Sequence, residues 1–93
     1  EGAHTMAGIN DTRTGAEKDL PFLVVGTDRF MSGWGKASGG ASYAAWACDY
    51  ATLDRCEARI LARGDMMRVR VVRAATYRPG PNCAHLSIYV YRD

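Results

Sequence analysis

The sequence is poor in the features that mark most membrane, secreted and catalytic proteins. None of its 93 residues belong to a run of roughly 20 apolar side chains, the length a membrane-spanning helix needs. No charged-then-apolar opening resembles a secretory leader, so a soluble, cytoplasmic protein is expected. Cysteine is scarce: Cys48, Cys56 and Cys83 are an odd number at irregular spacing, unlike a disulfide-stapled secreted domain. Free thiols are the expectation. Histidine occurs only at His4 and His85, and His4 falls in Glu1-Gly2-Ala3-His4-Thr5. That pentapeptide together with Met6 reads as a cloning scar followed by the start methionine. A chain this short has too little surface to divide between two cores, so residues 20–93 are expected to form a single domain.

These shortages also limit the chemistry. A tetrahedral zinc site from Cys48, Cys56, Cys83 and His85 lacks the tight Cys-x₂₋₄-Cys knuckle that such sites present. A nucleophilic cysteine needs a base, and nothing marks His85 as one. Asp11, Asp28, Asp49, Asp54 and Asp65 are each explained by turns, caps or helix surface rather than by a catalytic pair. The glycine-rich stretch Ser32-Gly33-Trp34-Gly35-Lys36-Ala37-Ser38 has the wrong spacing for a phosphate-binding loop. It leads into a strand, where such a loop opens a helix. The expectation is a noncatalytic protein without cofactor or metal.

Arginine, by contrast, is plentiful. Ten of the twelve cations are arginine, and residues 49–93 hold eight of them against five acids, although the net charge is only +2. The guanidinium group suits bidentate contact with phosphate and stacking on flat rings. Along the chain, residues 7–19 are polar and without periodicity, and read as a flexible tail. Pro21 opens a strand at 22–27, and a glycine-rich loop carrying Phe30, Met31 and Trp34 runs to Gly40. Residues 42–48 read as a second strand whose alanines would equally suit a helix. Asp49 is placed to cap the helix that follows, with Leu53, Cys56, Ile60 and Leu61 as its apolar stripe and Gly64 as its stop. Two strands complete the chain, one alternating around Met67, Val69 and Val71, the other around Leu86, Ile88 and Val90.

This order predicts an α+β domain: a four-stranded antiparallel or mixed sheet with one helix on one face. A single helix leaves the other face open. With the apolar set turned to the helix, alternation sends Arg68, Arg70, Tyr89 and Tyr91 outward, and Arg73 and Arg78 extend the same patch. Arginine interleaved with tyrosine fits single-stranded nucleic acid, with guanidinium on phosphate and rings on bases. An ordinary half-solvated face or a self-association surface explains the same residues. On the helix, Arg55, Arg59 and Arg63 form a like-charged ladder that needs an offset, from Asp54, Glu57 or Asp65 within the chain or from an acidic partner or a phosphate backbone outside it.

The segment Thr27-Asp28-Arg29-Phe30-Met31-Ser32-Gly33-Trp34-Gly35-Lys36-Ala37, followed by a helix and by Arg63-Gly64-Asp65-Met66, resembles a family of small proteins from bacteriophages and other mobile elements. That family shares a Thr-Asp-x-Phe-Met-Ser-Gly-Trp-Gly-x-Ala loop, and the resemblance covers residues 22 to 78. It implies no catalytic residue. It implies a binding protein whose partner is nucleic acid or a host protein, host defence complexes included. The site residues expected from the strand alternation and the loop are Arg68, Arg70, Arg73, Arg78 and Tyr89 on the sheet with Trp34 and Lys36 on the loop. The alternative is a host-protein binder or a homodimer using Trp34, Phe30 and the sheet face.

Overall fold

In the computed structural model the described residues are 8–28, 41–80 and 83–92. Pro21 has no amide to give a ladder, and it stands between a 3-10 turn (Ala16–Asp19) and a long strand (Phe22–Asp28) whose Leu-Val-Val run suits a buried pleat. This strand is β2, because a shorter one, β1 (Ile9–Asp11), precedes it. The next strand, β3 (Ala41–Cys48), pairs antiparallel with β2, Phe22 opposite Cys48 and Thr27 opposite Tyr43.

Asp49 then accepts from the amide and the hydroxyl of Thr52, both at 2.9 Å. It therefore fixes the turn ahead of the helix and does not cap the helix itself. Helix α1 (Leu53–Arg63) has Thr52 at its N-cap without a side-chain bond, and ends at Gly64, whose φ of 77° is open to glycine. Cys56 and Ile60 are its buried residues, whereas Leu61 is 57% exposed. At about 100° per residue, Leu61 lies about 80° round from Leu53 on the side away from Cys56 and Ile60, so the expected stripe loses that member.

Strands β4 (Met66–Arg73) and β5 (Cys83–Val90) complete a mixed sheet in the order β1-β5-β3-β2-β4. β2 runs antiparallel to β3 and β4, while β5 runs parallel to β3 and to β1. The α+β class with one helix holds, with five strands in place of four. The fifth comes from the stretch expected to be a flexible tail. Backbone bonds carry it: Leu86 donates to the Gly8 carbonyl at 2.8 Å, and Thr12 donates to the Ile88 carbonyl through its amide at 2.9 Å and its hydroxyl at 2.7 Å. Three residues are too few for alternation to show in a sequence.

The sheet also carries a core on both faces. Against α1 lie Val24, Ala44, Trp46, Cys48 and Met66, with Cys56 and Ile60 of the helix. On the opposite face Leu23, Val25, Ala45, Ala47, Leu86 and Ile88 are all 6% exposed or less, with Leu20, Ala74 and Tyr77 packed against them. The expectation of an open second face is thus overturned. The segment before β2 and the segment after β4 close over it, and the small side chains of Ala45 and Ala47 leave room for a close approach.

A bulge in β4 sets which residues face where. Val25 pairs with Arg70 and Thr27 with Met67, so one extra β4 residue is accommodated opposite Gly26. Arg68 takes φ 55° there. A side chain on Gly26 would meet the Met66 Cβ at 2.9 Å, so only glycine lets Met66 cross this point. The extra residue turns Met66 and Val69, three apart, to the same helix-covered side.

Candidate functional site

The residues first expected to form a binding face do not come together. Arg68, Arg70 and Arg73 belong to β4 at one edge, and Tyr89 belongs to β5, with β2 and β3 between them. Three strand spacings of about 4.8 Å put about 14 Å between the two strands. Arg70 also diverges from Tyr89 in direction. Tyr89 pairs with Trp46 on the α1 side, whereas Arg70 pairs with Val25 on the opposite side, near Tyr77. Burial pushes the Tyr77 phenol up, and the charge of Arg70 opposes the shift. Arg78 lies after β4 and donates to the Tyr77 carbonyl at 2.8 Å. Trp34, Lys36 and Phe30, with the glycine-rich loop that carries them, lie outside the described residues.

A different set does converge. Helix α1 packs mainly over β4, β2 and β3, which leaves the α1 side of β5 open beside it. Trp46, brought inward by the alternation of β3, forms the floor of the resulting groove at 9% exposure. The Tyr89 ring, 39% exposed, lies against it at a centroid distance of 5.6 Å and a tilt of 31°. From the helix, the Arg63 guanidinium reaches over the Trp46 ring at 5.0 Å and is held by Asp65 at 2.7 Å. This accounts for one rung of the arginine ladder: Arg63 is offset by the Asp65 carboxylate and by an aromatic face.

The groove has two connected parts, which share Trp46 and Arg63. The lower, a cleft of about 430 Å³, is also lined by Arg59, Ile60, Val90, Tyr91 and Arg92. The upper, of about 240 Å³, adds Asp28, Ala44, Met66 and Tyr89. Three arginines therefore line one aromatic floor. Arg59 pairs with no carboxylate among the described residues, while Arg92 meets Glu17 at 2.9 Å. The Thr14 amide and then Arg92 hold the Glu17 carboxyl below its ordinary range.

Chemically, the arrangement can bind and stack. Cys48 and Cys56 are buried beneath α1, and Cys83 belongs to the opposite face, so the three thiols and His85 share no centre. Burial pushes the Cys56 thiol up to about 12, with Cys48 beside it adding to the shift, and burial raises Cys48 as well. Neither is a nucleophile at neutral pH. Among the described residues no three His, Cys, Asp or Glu side chains are grouped to hold a metal ion, and no helix is long and apolar enough to cross a membrane.

Sequence reasoning placed Tyr89 correctly as exposed, on the wrong face, and noticed the Arg59–Arg63 ladder without its aromatic partner. It missed Trp46, whose position in an alternating strand was the available signal, and Arg92, for which there was none. The chain matches no known protein family, no curated protein and no solved structure.

Proposed function

We propose that this protein is a noncatalytic binding module of phage or mobile-element type that holds single-stranded nucleic acid in the groove between α1 and β5. The observation that carries this reading is the partly exposed Tyr89 ring backed by Trp46, with Arg63 beside it in the upper part of the groove and Arg59 and Arg92 lining the lower part along the same Trp46 floor. An unpaired base has a free face for such a ring, and stacking contributes about 1–3 kcal/mol per base. Bases inside a duplex offer no such face. The arginines answer the phosphates, and Arg59 is free of ion pairing among the described residues. The mobile-element setting rests on the resemblance at Thr27–Ala37 alone.

Fluorescence anisotropy with labelled single-stranded DNA and RNA tests the reading. Binding should weaken steeply with salt, and Tyr89→Ala should lower affinity by about 5- to 150-fold, the loss of one stacked base. Salt-insensitive or absent binding removes the proposal.

A protein-interaction module is the second reading, favoured by one observation. Tyr50, 81% exposed and tilted against Phe22 at 6.3 Å, and Leu61, 57% exposed, place large apolar side chains outside any core. Such residues suit the buried centre of an interface with a host protein or a second copy. A strictly monomeric mass in light scattering at high concentration would remove the second copy.

A further inference from the structure

A second cleft, of about 440 Å³, opens where the N-terminal segment meets the end of β4, lined by Arg13, Lys18, Asp19, Leu20, Pro21 and Arg73. Three cations face it against the single carboxylate of Asp19. Lys18 and Arg73 form no ion pair among the described residues. Arg13 spends two of its donors on Asp11, Nε at 2.9 Å and Nη2 at 2.7 Å, which fixes the guanidinium and leaves three N–H groups unassigned to that pair.

This cleft lies at the same end of the sheet as the lower part of the groove. Tyr91, just past β5, donates to the Ala47 carbonyl at 2.9 Å; the next β3 residue, Cys48, pairs with Phe22, and Phe22 pairs with Arg73. The 3-10 turn joins the two clefts directly. Its Glu17 holds Arg92, which lines the groove, and the neighbouring Lys18 lines the second cleft.

We infer that a single strand seated on Trp46 and Tyr89 continues past Arg92 and over this turn, and that its further phosphates rest on Lys18 and Arg73 beside the fixed Arg13. The inference rests on the nucleic-acid reading of the groove and adds the path of the strand outside it.

The test compares single strands of about 4 and about 12 nucleotides, a span within known site sizes. Each is titrated across a salt series with the wild type, the double variant Lys18→Ala/Arg73→Ala, and Tyr89→Ala. Each phosphate contact on a single strand adds about 0.7 to the slope of log affinity against log salt. For the long strand the double variant should lose about 1.4 of that slope, which is about 25-fold in affinity at 0.1 M salt if the proteins bind equally at 1 M. The short strand should be bound as by the wild type. Lys18→Arg/Arg73→Lys keeps the charges and should restore the slope, which separates a lost contact from a damaged fold. A wild-type slope for the double variant on the long strand overturns the inference while leaving the groove intact. Failure of the wild type to bind either length overturns both.

Discussion

Arg68 is the residue under most evident backbone strain. Its φ of 55° places a side chain in the left-handed region, which disfavours non-glycine residues by roughly 1–2 kcal/mol. Arg68→Gly should therefore raise stability, by up to about 1 kcal/mol once the greater freedom of unfolded glycine is subtracted, and a β-branched Arg68→Val should lower it. Chemical denaturation of the pair checks both signs. Opposite the bulge, Gly26→Ala forces a methyl group to 2.9 Å from the Met66 Cβ and should destabilise by about 1–3 kcal/mol through overpacking. The buried thiols have their own signature. With Cys56 pushed up to about 12, it should resist a thiol reagent at pH 8 until the protein unfolds. The raised pKa also has a sign: its contribution to stability is full below the unfolded value of about 8.5 and is lost as pH rises from there toward about 12.

At the level of elements, β1 is the part whose attachment depends on pH. Hydrogen bonding from the Arg13 side chain holds the Asp11 carboxyl at about 2. A depressed carboxyl contributes stability above its unfolded pKa of about 3.9, and that contribution disappears as pH falls through about 2. The amides of Thr12 and Leu86, which tie this edge to the sheet, should lose protection from exchange, relative to the intrinsic rate at each pH, as pH falls across that window, and Asp11→Asn should remove the dependence. Elements with local signals were legible in the sequence. Pro21 marked the start of β2, Gly64 the end of α1, and alternation marked β4 and β5. Those that depend on distant partners were not: β1 exists because β5 offers it an edge, and Asp49 serves a turn because the chain needs one between β3 and α1. The bulge was invisible for the same reason, since Arg68 carries no mark of a left-handed residue and Gly26 lies in another strand.

For the whole molecule, the legible quantity was class, and the illegible one was which side is covered. One helix on a sheet implied a bare second face. The chain instead closes that face with Leu20, Ala74 and Tyr77, drawn from segments whose polar neighbours disguise them. Leu86 and Ile88 are therefore core residues of the second face, and Tyr89 turns to the helix side, where it meets Trp46. The candidate site moved with it, from the arginines of an edge strand to the flank of α1. The measurement that tests this placement most directly is a nuclear magnetic resonance titration of isotope-labelled protein with a single strand of about eight nucleotides. The account predicts that the largest shifts fall on the Trp46 indole and on the amides of Arg59, Arg63, Tyr89 and Arg92. Shifts centred on Arg70 and Tyr77 of the opposite face, or none at all, would contradict it.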